Sequence, residues 1–245
     1  HLKIVLFFLL LAGVQHDKVF SQVSSQEIDS IVQHAMDSFA VAGVAVAVVK
    51  DGKIIHQKGY GVRTIGSDVK VDEHTNFGIA SNSKAFTTAA LAMLVEDGKL
   101  SWTDKVIDHI PEFKMYNDYV TQNFNIQDLL THRSGLGLGI GDLMFFPDGA
   151  DFTIDDIISS FQYFKPESAF RTKFDYDNLL YLVAGEVILR VSGMSWEEFV
   201  KQRIFIPLEM DNSYASISYI DDGGNTASPH INKGKKISTV APEKW

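Results

Sequence analysis

Ser81 and Lys84 stand three residues apart in Phe77-Gly-Ile-Ala-Ser81-Asn-Ser-Lys84, directly before the apolar run 85–95. A helix that begins at about Ser81 puts positions three apart on one face, so the hydroxyl and the amine can meet across one turn. A serine hydroxyl is a weak nucleophile until a base stands beside it. An amine serves as that base once desolvation or a nearby positive charge lowers its pKa, and a buried helix start offers the desolvation. Unpaired N–H groups at the same helix start suit negative charge that develops near Ser81. The pattern is competent for acyl transfer. The string alone is weak evidence, because composition gives a chain of this length about one S-x-x-K by accident, and this chain holds a second, Ser67-Asp-Val-Lys70. That second one lies in a polar, turn-like stretch after Gly66, where side chains three apart on extended chain face opposite ways. Only Ser81 sits between a short extended segment and an apolar helix, which is the context the motif needs.

A second constellation is Phe174-Asp-Tyr176-Asp-Asn178, which leads into the apolar stretch 179–191 and contains the only Y-x-N in the chain. A phenol held near an ammonium has its pKa lowered and can act as a base or pass a proton to a leaving group. An amide two residues on can hold a lysine and a substrate amide together. By itself Tyr176 reads as a core aromatic with a satisfied hydroxyl; beside Ser81 and Lys84 it reads as a proton carrier.

The elements that must position these residues follow from periodicity. Ile28, Ile31, Val32, Ala35, Met36 and Phe39 carry the spacing of an amphipathic helix over 24–40. Strands are expected over 44–50 and 53–61, joined by Asp51-Gly52, a strong hairpin signal. The helix after Ser81 is apolar on nearly all sides, which predicts a central helix, and it stops at Glu96-Asp-Gly98 with glycine at the C-terminal cap. Beyond Leu100 helices are predicted over 102–110, 126–131, 154–164 and 179–191. The run Gly135-Leu-Gly-Leu-Gly-Ile-Gly141 fails the G-x-G-x-x-G spacing of dinucleotide loops and follows no strand, so it is expected as a flexible surface loop that could wall a site. No G-x-S-x-G occurs, which removes the nucleophile elbow of α/β-hydrolases.

Composition narrows the function classes. With 245 residues, 45% of them hydrophobic, the chain can bury a substantial core. A net charge of −9 and the lack of any basic run argue against a nucleic-acid partner. The absence of cysteine excludes disulfides, thiol catalysis and Cys-based metal sites. Eight scattered histidines, with no H-E-x-x-H, predict neither a catalytic metal nor a cofactor. At the N-terminus Lys3 precedes the apolar run 4–14, too short to span a bilayer, and Val19-Phe-Ser21 follows. Residues 1–21 are therefore expected to be a signal peptide, and the mature protein periplasmic or secreted, without a stable membrane span and, lacking cysteine, without a lipoprotein anchor.

Four motifs in order, Phe77 to Lys84, Leu129-Leu-Thr-His-Arg-Ser-Gly-Leu136, Tyr176-Asp-Asn178 and Ile206-Pro-Leu-Glu-Met210, give the chain a resemblance to the serine β-lactamase-related family from about Ile28 onward. That family includes class C β-lactamases, penicillin-binding D-alanyl-D-alanine carboxypeptidases and family VIII carboxylesterases. The resemblance implies an α/β fold of the β-lactamase/DD-peptidase type, an antiparallel sheet flanked by helices with an inserted helical domain. Residues 22–245 would form one partial domain, with 22–100 the N-terminal sheet and central helix and 101–210 mainly helical. It also implies that Ser81 is the acylated nucleophile, Lys84 its base, Tyr176 a second base or proton donor, and Asn178 a substrate-binding amide. The substrate would be a β-lactam, a D-Ala-D-Ala peptide or a small ester.

The sequence departs from the family at its third motif, a Lys or His followed by a small residue and Gly on a late strand. Neither K-[ST]-G nor H-x-G occurs in the 245 residues, and the stretch 220–244 reads as polar and loop-rich. The expectation is a truncated frame that lacks the late strands and one oxyanion donor and turns over substrate poorly. A noncatalytic penicillin-binding or scaffold relative of the same fold is the alternative, and the joint presence of Ser81, Lys84 and Tyr176 argues against it.

Overall fold

The computed structural model describes residues 23–146, 151–220, 224–234 and 236–240. The expected signal peptide, 1–21, lies outside the described residues. Helix α1 (Ser25–Phe39) starts where Ser24 and Glu27 cap each other reciprocally, the Ser24 Oγ accepting from the Glu27 N–H at 3.2 Å and the Glu27 carboxylate accepting from the Ser24 N–H at 2.7 Å. Strands β1 (Gly43–Lys50) and β2 (Lys53–Gly61) form an antiparallel pair in which Gly43 faces Gly61 and Lys50 faces Lys53. Asp51 and Gly52 have φ of 52° and 71°, the left-handed pair that matches a hairpin turn to the strand twist. Helix α1 is tied to β2 by Lys58 and Tyr60, which both donate to Asp29 Oδ1, and by Ser25 Oγ, which lies 2.8 Å from His56 Nδ1.

A 3₁₀ turn (Ala80–Asn82) runs into helix α2 (Ser83–Glu96). The helix ends in a Schellman motif: the Gly98 N–H donates to Val95 O and the Lys99 N–H to Leu94 O, with Gly98 at φ 69°. Glycine therefore stands one residue past the cap, which Asp97 occupies. Short helices α3 (Val106–His109), α4 (Asp118–Asn123), α5 (Ile126–Leu130) and α6 (Ile154–Ser160) lead to helix α7 (Leu179–Ser192) and then α8 (Trp196–Val200).

The core forms where α2 meets α7. Ala90, Leu91 and Leu94 of α2 pack with Val183, Ala184, Val187 and Ile188 of α7, all of them buried, over an aromatic floor of Phe113, Phe124 and Phe161 whose ring centroids lie 5.6 Å apart across Phe113. The other side of α2 offers Phe86 and Met93 to a smaller cluster of Val200, Ile204 and Phe205. Contact on two sides takes up part of its apolar surface, while Ala85, Ala89 and Ala92 are exposed along a third side, so among the described residues the helix is enclosed only in part.

Three expectations are corrected. The helix predicted over 102–110 is confined to α3, because the Ser101 N–H donates to Asp104 Oδ2 and the Asp104 N–H to Ser101 O; this closed turn competes with helix. The glycine run is not a surface loop throughout, since Ser134, Gly135, Leu136 and Gly137 are buried. The stretch read as loop-rich holds a further antiparallel pair, β3 (His230–Lys233) and β4 (Lys236–Thr239), in a separate two-stranded sheet. One apolar residue per strand, Ile231 and Ile237, was too little periodicity to signal it. Among the described residues β1 pairs with β2 alone, and no single helix is long and apolar enough to cross a membrane.

Phe161→Ala is expected to cost about 3–5 kcal/mol, while Tyr163→Ala two residues on, at 80% exposure, should stay within about 0.5 kcal/mol. Urea unfolding of both variants checks this; equal costs would contradict the placement of the core.

Candidate active site

The structure brings Ser81, Lys84, Tyr176 and Asn178 together. Lys84 Nζ lies 3.2 Å from Ser81 Oγ and 2.8 Å from Asn178 Oδ1, and the Tyr176 hydroxyl lies 2.8 Å from Ser81 Oγ. Ser81 and Lys84 face each other because the 3₁₀ turn and the first turn of α2 are continuous. Tyr176 and Asn178 flank the start of α7 and reach Ser81 and Lys84 because α2 and α7 pack against one another. The amine stands 4.9 Å from the Tyr176 ring centre and 5.1 Å from that of Tyr181, so aromatic faces replace part of its water.

The backbone before Ser81 is strained. Ala80 has φ 44°, a left-handed value that a non-glycine residue rarely adopts, and such outliers persist where the surrounding structure enforces them. The 3₁₀ turn closes through the N–H groups of Asn82 and Ser83, which leaves the N–H of Ser81 itself outside that ladder and beside its own exposed side chain. A backbone donor in this place suits an oxyanion.

The segment that carries Tyr176 is fastened to the chain at His132 and Arg133. Asp175 N–H donates to His132 O at 2.7 Å, and Asp177 N–H donates to His132 Nδ1 at 3.2 Å, which puts the ring proton of neutral His132 on Nε2. The imidazole stacks on Tyr176 with centroids 4.2 Å apart. Burial, and then the Lys84 charge, hold His132 below its ordinary pKa, so this ring supports the phenol as a neutral face. Asp128, buried, takes both Nε and Nη2 of Arg171, and the Arg171 N–H donates to Arg133 O.

Burial pushes the Tyr176 phenol up, but hydrogen bonding to Lys84 and Ser81, together with the Lys84 charge, outweighs it and leaves the pKa below that of an ordinary tyrosine. A phenol so placed gives up its proton more readily, and Ser81 Oγ is the group it touches. Asp177 is displaced the other way. It is 1% exposed, Oδ1 accepts from the Leu180 N–H at 3.0 Å, Oδ2 has no hydrogen-bond partner, and burial raises its pKa to about 7. His132, Tyr181, Asp142 and Asp177 were not singled out from sequence. His132 and Asp177 lay within quoted motifs, Leu129 to Leu136 and Tyr176-Asp-Asn178, but nothing there tied His132 to Tyr176 or marked Asp177 as buried.

A carboxyl whose folded pKa is raised keeps its proton in the folded state after the unfolded chain has lost it, so folding stability falls as pH rises between the two values. The wild-type protein is therefore expected to lose stability from about pH 4 to about pH 7. Asp177→Asn keeps the acceptor for Leu180 and should flatten that part of the profile. Urea unfolding across this range is the check, and an identical slope in both proteins would contradict the burial of a titrating Asp177.

The β-lactamase family profile matches residues 28–242. Among curated relatives, protein flp of Staphylococcus aureus (strain MW2) is 29% identical over 190 residues, covering 78% of this chain and 38% of flp. The unguisins hydrolase ungD' of Aspergillus campestris (strain IBT 28561) is 32% identical over 202 residues, covering 78% of this chain and 36% of that protein. Among solved structures, the octameric penicillin-binding protein homologue from Pyrococcus abyssi superposes with a TM-score of 0.70 at 27% identity, over 87% of this chain and 50% of the other. The chain thus spans well under half the length of these curated relatives. A profile match over so much of its own length, in the fold described, makes this chain a member of the serine β-lactamase-related family.

Proposed function

We propose that the protein is a serine hydrolase that works through an acyl-enzyme on Ser81. The observation that carries this reading is Ser81 Oγ held at 3.2 Å by an amine and at 2.8 Å by a phenol whose pKa is lowered. As Ser81 Oγ attacks a carbonyl carbon, its proton passes to Tyr176 or Lys84, the two groups within hydrogen-bond distance of it. The carbonyl oxygen becomes an oxyanion facing the Ser81 N–H. When the tetrahedral intermediate collapses, the Tyr176 hydroxyl returns a proton to the departing amine or alkoxide, leaving an ester on Ser81. Water then attacks that ester and gives a proton to the same pair, which returns one to Ser81 Oγ as the Oγ–acyl bond breaks and the acid is released. Asn178 holds Lys84 throughout and offers an amide to the substrate.

The substrate class we propose is a β-lactam, a D-Ala-D-Ala peptide or a small ester, met outside the cytoplasm by an exported protein. The Pyrococcus abyssi protein is described as a penicillin-binding protein homologue and the Aspergillus campestris protein is named for hydrolysis of unguisins, so acyl transfer is in keeping with both. Neither K-[ST]-G nor H-x-G occurs in the 245 residues. Acylation, which forms a stable adduct even when it is slow, is therefore the step to read, ahead of turnover.

Intact-mass analysis after a fluorophosphonate or a labelled penicillin is expected to show one adduct, located on the Ser81 peptide and absent from Ser81→Ala. An adduct that survives the substitution contradicts the assignment, and a wild-type chain that binds penicillin without any adduct favours the noncatalytic alternative.

Tyr176→Phe is expected to slow acylation by about 10²–10⁴ with a smaller effect on reagent affinity. Stopped-flow labelling separates rate from affinity. An unchanged rate would return Tyr176 to a packing role.

A further inference from the structure

The glycine run 135–141 follows a path that calls for glycine at three positions. Gly135, Gly139 and Gly141 have φ of 92°, 86° and 73°. A Cβ on Gly135 would stand 2.5 Å from Ser168 O, one on Gly137 2.2 Å from the Glu167 carboxylate, and one on Gly141 2.4 Å from Leu179 Cδ2 and 2.9 Å from Phe164 Cζ. Leu179 is the first residue of α7, so Gly141 lets the loop touch the helix start that carries Asn178. Ile140, Met144 and Phe145 pack on the main core and hold the loop there.

The residue delivered by this path is Asp142. Its two carboxylate oxygens lie 3.2 and 3.3 Å from Asn178 Nδ2, while Asn178 Oδ1 lies 2.8 Å from Lys84 Nζ. Turned over, the amide would aim its N–H groups at an ammonium and its oxygen at a carboxylate, making both contacts repulsive. With the carboxylate in place a single orientation remains, and it points Lys84 at Ser81.

We propose that Asp142 is a positioning residue for acylation, brought to the site by the glycine run, which fixes the Asn178 amide so that its oxygen holds Lys84 against Ser81. The inference rests on Ser81 being the acylated residue. The charged or titrating groups around this amide are Lys84 of α2, Tyr176 and Asp177 at the start of α7, and His132 on the segment packed beneath them. Asp142 opposes ionisation of Tyr176 through its charge, an influence that a purely steric support would lack.

The test uses the 245-residue chain and two readouts. Asp142→Ala is expected to lower the rate constant for fluorophosphonate labelling of Ser81 about 10²-fold, the scale of a small misplacement of reacting groups. Asp142→Asn, which keeps an acceptor for Asn178, should restore part of that rate. Gly141→Ala should reproduce the loss. Independently of labelling, the Tyr176 titration is followed by its ¹³Cζ resonance, assigned with Tyr176→Phe. Asp142→Asn should move its midpoint to lower pH. Labelling of Asp142→Ala at the wild-type rate, or an unmoved Tyr176 midpoint in Asp142→Asn, overturns the proposal. A wild-type chain that takes no label at Ser81 defeats the acyl-enzyme reading instead, and the Tyr176 midpoint then decides the role of Asp142 alone.

Discussion

A lysine amine suspended between Ser81 Oγ and Asn178 Oδ1 is the contact that the packing of the rest of the structure makes possible. Its two partners lie on different elements, one at the start of α2 and one at the start of α7, 94 residues apart from Lys84 in the latter case. A hydrogen bond to a charged group contributes only about 1.5–3 kcal/mol net, too little to hold two helices in register. Burial of one large apolar side chain is worth about 1.5–3 kcal/mol, and Leu91, Leu94, Val183, Val187 and Ile188 supply several such contributions at the α2–α7 contact. The core sets the geometry and the polar contacts read it.

That reserve sustains local features that oppose folding. Ala80 sits at φ 44°, a type of strain that costs on the order of 1–3 kcal/mol, and Asp177 buries an oxygen with no partner. Both adjoin the reacting groups, Ala80 immediately before Ser81 and Asp177 between Tyr176 and Asn178. Positive φ also occurs at the non-glycine residues Ala40, Asp51, His132, Arg171 and Glu209, so Ala80 is set apart by its place beside Ser81 rather than by strain as such.

The parts legible in the sequence were those governed by short-range rules. The hairpin followed from Asp51-Gly52, α1 from a 3.6-residue stripe, and the meeting of Ser81 and Lys84 from their spacing before an apolar helix. Tyr176 and Asn178 were found by residue type, but their contact with Ser81 depends on helix packing, which no local pattern encodes. The overlong helix over 102–110 failed because Ser101 and Asp104 bond to each other's backbone, a local competitor that an apolar count does not register. Asp142 and His132 stayed hidden for a similar reason. Their roles come from loops that fold back on the site, and a glycine run reads as flexible until its neighbours are known to need the space.

The account turns on whether Lys84 handles the serine proton, and chemical rescue tests that most directly. Single-turnover labelling of Ser81 in Lys84→Ala, measured with increasing concentrations of small primary amines, should begin very slow and rise with amine concentration as a free amine takes the vacated place. Labelling of Lys84→Ala at the wild-type rate with no amine added would contradict the account, because Ser81 would then be activated without the contact around which the site is arranged.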